Sequence, residues 1–220
     1  MTGPLDLSGP SVPPASGKAT SLVVFLHGYG ADGNDLIGLA PHWQDILPGA
    51  AFVSPHAPFP CEEAPYGRQW FGFRGRDEAA LLAGAVLAAG LVNEFLDREM
   101  TRLRLAADRV ALVGFSQGTM LSLHVALRRP QAIAGVVGYS GLLMSPGLLA
   151  EEIKAKPPVL LVHGDADPLV PFAEMGVAAK ALGAVGVPVT TERRPGLPHS
   201  IDQVGLAKGG RFLADRLGKG

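Results

Sequence analysis

Residues Gly114-Phe115-Ser116-Gln117-Gly118 set a serine between two glycines, each two positions away. The apolar run Val110-Ala111-Leu112-Val113 precedes them, and a helical pattern over residues 120–127 follows. That context predicts a strand, a sharp turn and a helix, with the Ser116 hydroxyl bare at the C-terminal edge of a sheet. It is the nucleophile elbow of the G-x-S-x-G pattern. Glycine suits 114 and 118 because a Cβ at either position would crowd the turn, and a serine there tends to be held in strained backbone. A helix starting at the serine also aims its positive dipole end and free N–H groups at the place where an oxyanion would form.

A serine hydroxyl is a poor nucleophile until a base takes its proton. For a serine on such an elbow the chain order is nucleophile, acid, histidine. Downstream of Ser116, His163-Gly164-Asp165-Ala166-Asp167-Pro168 places acids directly after an apolar run. Asp167 is the favoured acid, because it lies past the strand end on a loop stiffened by Pro168. Asp165 reads as a turn residue whose carboxylate satisfies local backbone N–H groups. His199, in Pro195-Gly196-Leu197-Pro198-His199-Ser200, is the only histidine after the acid segment. It would take the Ser116 proton and return it to the leaving group, with Asp167 fixing its tautomer.

An oxyanion needs two donors. One is expected from the Gln117 backbone N–H, the other from the loop after the first long strand, Leu26-His27-Gly28-Tyr29-Gly30-Ala31-Asp32-Gly33, through the Tyr29 N–H. The same loop matches G-x-G-x-x-G at Gly28, Gly30 and Gly33, the dinucleotide fingerprint. That fingerprint expects an acid at the end of the next strand, which here ends Phe52-Val53-Ser54-Pro55. A nucleotide-dependent oxidoreductase is therefore a distant rival. A non-catalytic binding module on the same scaffold is another, since fold alone does not fix function; the complete set of Ser116, Asp167 and His199 opposes it.

The elements that must hold these residues alternate along the chain. Strands are expected at 21–26, 51–54, 109–115, 133–139, 158–163 and 187–192. Helices are expected at 34–47, 78–100, 117–128, 172–182 and 203–217, with a short one before 154. Residues 57–75 read as a loop rich in proline and glycine. Residues 1–20, with Pro4, Pro10, Pro13 and Pro14, read as an irregular arm or short edge element. Residues 21–220 read as one catalytic domain. Apolar strands separated by helices imply an α/β fold with a mostly parallel sheet covered on both faces, and right-handed crossovers bring every strand's C-terminal end to one rim.

Composition narrows the classes. The 220 residues carry a net charge of −1 and are 47% hydrophobic. No basic stripe points to nucleic acid. The single cysteine, Cys61, cannot form an internal disulfide, which with the absence of a visible signal peptide suggests a cytoplasmic protein. No stretch reads as a membrane span, the longest apolar segment being 79–92. Expected partners are a small-molecule ester substrate only, with no nucleic acid and no stable membrane insertion, in a monomer or homodimer. His42 and His56 lack paired ligand spacing, so no metal is expected. His27 reads as a residue holding the oxyanion loop, His124 as a partly buried helix residue, Asp32 as a helix cap, and Cys61 as inert. Trp70, Phe71 and Phe73, with Leu142, Leu143 and Met144, are candidates for a pocket wall.

Together, Leu26-His27-Gly28-Tyr29-Gly30, Arg68-Gln69-Trp70-Phe71, the Ser116 elbow, residues 163–171 and His199 resemble the phospholipase/carboxylesterase family over residues 20–217. That family includes small bacterial carboxylesterases and acyl-protein thioesterases. The resemblance implies an α/β-hydrolase fold without a large lid domain, and hydrolysis of carboxylic esters, or of thioesters or lysophospholipids, with no cofactor. By position, Ser116, Asp167 and His199 match the family's triad, Tyr29 and Gln117 its backbone oxyanion donors, and Leu169 a position lining the acyl pocket. Three departures stand out: Tyr29 where leucine is usual, Gly72 where an aspartate commonly follows the Trp-Phe pair, and Thr119 where the elbow usually has a second trailing glycine. None is a reacting group, so they bear on substrate preference.

Overall fold

The computed structural model describes residues 6–75 and 77–218. In chain order the strands are β1 (Ser11–Val12), β2 (Ser21–Leu26), β3 (Ala50–Val53), β4 (Phe59–Pro60), β5 (Arg68–Gln69), β6 (Val110–Phe115), β7 (Gly135–Tyr139), β8 (Val159–Gly164) and β9 (Val189–Arg194). The helices are α1 (Gly33–Ile37), α2 (Glu78–Leu103), α3 (Gln117–Arg128), α4 (Leu149–Glu152), α5 (Ala173–Ala184) and α6 (Gln203–Leu217). Among the described residues one seven-stranded sheet runs in the order β1-β3-β2-β6-β7-β8-β9, and β4 and β5 form a separate antiparallel pair. Every pairing in the large sheet is parallel except that of β1 with β3.

The central strands are buried along their length, save the half-buried Phe115 at the end of β6, because both sheet faces are covered. Successive side chains of a strand point to opposite faces, and the cores follow that alternation. Leu22, Val24 and Leu26 of β2 belong to the core that α2, α3 and α5 cover on one face of the sheet. Val23 and Phe25 pack with Leu36 of α1, with Trp43, and with Leu206, Leu213 and Leu217 of α6. Helix α3 is the most enclosed of the helices, with Gln117 to Leu127 all buried. Its residues meet α2 on one side and the sheet on the other.

The structure departs from expectation in three places. The helix expected at 34–47 is only α1 and a 3₁₀ turn at Ala40–His42. Pro41 has no N–H to continue the ladder and disfavours helical backbone at Ala40. The loop at 57–75 contains β4 and β5. The arm contributes β1 as a sheet edge, in line with its reading as a short edge element, while residues 1–5, with Pro4, lie outside the described part. Finally, α2 corrects the reading that no stretch has the length and apolarity of a membrane span. Continuing to Leu103, it holds an 18-residue window of mean hydropathy 1.8. Ala85, Ala88, Ala89, Val92, Phe95 and Leu96 turn one face of it into the core.

Candidate active site

Five loops meet on the rim where β2, β6, β7, β8 and β9 end. At the end of β6 the chain turns through Ser116, whose φ of 54° and ψ of −117° lie where a side-chain-bearing residue is strained. Close packing holds that conformation. A Cβ at Gly118 would stand 1.7 Å from the Leu26 carbonyl oxygen, and one at Gly114 would stand 2.4 Å from that of Gly118. Only glycine lets α3 start so near the sheet. The Ser116 N–H donates to the Tyr139 carbonyl at 2.9 Å, and its own carbonyl accepts the Thr119 N–H at 2.9 Å.

The loops after β8 and β9 bring Asp167 and His199 together. His199 Nδ1 lies 2.7 Å from Asp167 Oδ2, and the Asp167 side chain has no exposed surface. The Leu169 and Val170 N–H groups donate to Asp167 Oδ1, each at 2.9 Å. Burial alone would raise the Asp167 carboxyl, but the Val170 N–H, His199 and the Leu169 N–H outweigh it and hold the group below the ordinary aspartate value. An ionised Asp167 can only accept, so the proton of the 2.7 Å bond sits on His199 Nδ1 and leaves Nε2 bare as a base. Gly164 makes the approach of the two loops feasible, since a Cβ there would lie 2.1 Å from the Leu197 carbonyl oxygen. Asp165 is engaged locally, accepting the Gly196 N–H at 2.6 Å and the Arg193 Nε–H at 2.8 Å.

His163 was missed by sequence reasoning. Its ring is buried, with Nε2 3.0 Å from the Val170 carbonyl oxygen and 3.2 Å from Asp167 Oδ2. It therefore braces the acid loop from beneath. The spacing of four residues from Asp167 was the only signal available.

The loop after β2 lies against the elbow: a Cβ on Gly28 would stand 3.4 Å from the Ser116 Cβ. Among the described residues, neither the Tyr29 nor the Gln117 backbone N–H has an acceptor, which leaves both available to an anion. His27 fixes the loop. Its Nε2 accepts the Ala57 N–H at 3.0 Å, so Nδ1 carries the proton and donates to the Gly28 carbonyl at 2.8 Å. Burial lowers its pKa to about 4, which keeps the ring neutral. His56 Nδ1 accepts the Gly33 N–H at 3.1 Å, and Asp32 caps α1 by accepting the Asn34 N–H at 2.8 Å. The Gln117 side chain adds a clamp on the opposite side: its Oε1 accepts the Trp70 N–H at 2.9 Å and its Nε2 donates to the Phe71 carbonyl at 2.7 Å.

A cavity of about 420 Å³ opens beside Ser116 and His199. Tyr29, Phe73, Met120, Leu142 and Leu169 give it an apolar wall. Leu142 and Leu169 stand where sequence reasoning put them. Trp70 and Phe71 do not line it, which corrects that expectation. Trp70 is fully buried, its ring tilted against that of His27 and its Nε1–H on the His27 carbonyl at 3.0 Å, and Phe71 is buried in the core beneath α2. The third aromatic of the loop, Phe73, reaches the cavity and packs on Tyr29 with ring centroids 5.2 Å apart. Phe115 and Met120, which had drawn no functional reading, also line it.

Comparison with known proteins gives a consistent picture. The model of the family described as Phospholipase/Carboxylesterase matches residues 7–216. The acyl-protein thioesterase 1 of Neurospora crassa is 28% identical, the match covering 96% of this chain and 92% of that one. The crystal structure of esterase PE8 superposes with a TM-score of 0.92 at 42% identity, covering 96% of this chain and all of that one. Acyl-protein thioesterase 2 of Zea mays superposes with a TM-score of 0.78 at 25% identity, covering 94% and 98%.

Proposed function

The chain belongs to the phospholipase/carboxylesterase family, and from that premise we propose that it hydrolyses carboxylic esters of small or medium acyl groups, with Ser116 as nucleophile, His199 as base and Asp167 as the acid that orients it. The observation that carries this reading is the 2.7 Å bond from His199 Nδ1 to the buried Asp167 carboxylate, with Ser116 and His199 in one cavity wall. Ser116 Oγ attacks the acyl carbonyl as its proton passes to His199 Nε2. The tetrahedral oxyanion settles on the N–H groups of Tyr29 and Gln117, each worth roughly a hundred- to a thousandfold in rate. The C–O bond breaks, the alcohol leaves with the proton from His199, and water repeats the cycle on the acyl-enzyme. Leu142 and Leu169 receive the acyl chain; Trp70 and Phe71 act behind the wall by fixing the loop that carries Phe73.

A second reading, hydrolysis of acyl thioesters, is favoured by the relatives named acyl-protein thioesterases. It needs the same residues and differs in what the cavity accepts. The test is a panel of p-nitrophenyl esters of rising acyl length, run beside acyl-CoA and lysophospholipid, for wild type and Ser116→Ala. The expected result is a maximum kcat/KM at a short or medium acyl ester, with kcat lower by about four to six orders of magnitude in the folded variant. Retention of most activity by Ser116→Ala overturns the mechanism, and a preference for acyl-CoA selects the thioesterase reading.

A further inference from the structure

His199 separates two hollows. On one side lies the apolar cavity that holds Ser116. On the other lies a cleft of about 280 Å³, which shares His199 and Phe115 with it and continues along Leu36, Leu39 and Ile201 to Asp35. The division matters because the two ends of an ester need different surroundings. The acyl chain fits the cavity lined by Met120, Leu142 and Leu169. The leaving oxygen must come within reach of the imidazole that protonates it, so the leaving group extends past His199, into the second cleft.

That cleft has one carboxylate, Asp35, and no lysine or arginine in its lining. Among the described residues, the Asp35 carboxylate has neither an ion-pair nor a hydrogen-bond partner. Past Asp35 the surface dips again into a hollow that Asp35 shares with Tyr66, whose side chain is 97% exposed and leaves an aromatic face open. A cation at the end of the cleft would meet a carboxylate without a counter-ion, next to a hollow lined by Asp32 and the Tyr66 ring, a setting suited to ammonium groups.

We propose that the leaving-group side of this site selects esters and thioesters whose alcohol or thiol carries a cationic group, an ammonium or guanidinium, and that Asp35 is the residue that sets the selection. The proposal rests on the hydrolase reading above. No new chemical step is involved: the same acyl C–O or C–S bond breaks, and the departing alcohol or thiol takes its proton from His199. Asp35 also lies in the first turn of α1, where an acid is favourable for a helix dipole. That role alone would affect folding stability and leave the choice of leaving group untouched.

The experiment compares butyrylcholine with 3,3-dimethylbutyl butyrate, in which a carbon replaces the nitrogen and the acyl group and shape are kept. The readout is the ratio of their kcat/KM values. Wild type should favour the cationic ester by about three- to tenfold, the size of one partly solvated cation contact. The ratio should fall toward one in Asp35→Asn, and in wild type as salt rises to ~0.5 M and screens the carboxylate. The salt series decides the matter even if the variant fails to fold. A wild-type ratio near one, or a preference that survives both Asp35→Asn and high salt, overturns the proposal. The hydrolase reading fails separately, if neither ester is cleaved or if Ser116→Ala cleaves both as wild type does.

Discussion

At the scale of single residues, the site works by fixing where protons sit. Asp167 is saturated with donors: two backbone N–H groups on Oδ1, His199 on Oδ2, and His163 close by. Asn at 167 keeps an oxygen for the two N–H groups but turns an NH₂ toward His199 Nδ1. That forces the proton to Nε2 and removes the base. Asp167→Asn should therefore fold as wild type while kcat falls by about four orders of magnitude, measured with a p-nitrophenyl ester beside the far-UV and near-UV spectra. That Asp167 would meet His199 beside Ser116 was legible because order along the chain and position after a strand are properties of sequence. The wall was not, because which of three neighbouring aromatics faces a cavity depends on loop geometry. Trp70 and Phe71 turn inward, held by His27 and by the Gln117 side chain, and leave Phe73 at the surface.

At the scale of elements, close approach governs the site, and glycines mark where it occurs. Helix α3 can begin at Ser116 only because Gly118 lets it approach the end of β2. Gly118→Ala puts a methyl 1.7 Å from a backbone oxygen, so at least about 3 kcal/mol of stability should be lost. Gly90 in α2 is the opposite case: it is exposed and an added Cβ meets nothing within 4 Å. Gly90→Ala should raise stability by about 0.5–1 kcal/mol. Urea denaturation of both variants checks the pair, and equal effects would contradict the packing argument. The bounds of α3 and α6 were readable because an apolar periodicity runs between a clear start and stop. Residues 34–47 misled for the same reason: the apolar spacing is there, but Pro41 breaks the backbone that would have used it.

At the scale of the whole molecule, the two cores on either face of the sheet enclose titratable groups that shape its pH response. His27 and His124 are each buried, and burial lowers each pKa from 6.5 to about 4. Above pH 6.5 both are neutral in the folded and the unfolded chain, so they contribute no pH dependence. Between pH 6.5 and 4 the unfolded chain takes up protons that the folded chain refuses, so stability falls as pH falls, by up to about 3 kcal/mol for each histidine. Below the ordinary aspartate range Asp167 and Asp202, whose folded values are depressed, withdraw further stability. Denaturation at pH 7 and pH 5 should show the loss, and His124→Phe should remove roughly half of the histidine part. An unchanged slope in that variant would place the pH dependence elsewhere.

In the proposed cycle Ser116 forms the covalent acyl intermediate. A fluorophosphonate probe tests it most directly, followed by peptide mass spectrometry to locate the adduct and by residual ester hydrolysis to measure its effect. The expected result is one adduct per chain, on the peptide containing Ser116, with activity lost in proportion to labelling and neither labelling nor activity in Ser116→Ala. An adduct on another residue, or full activity in a fully labelled protein, would contradict it.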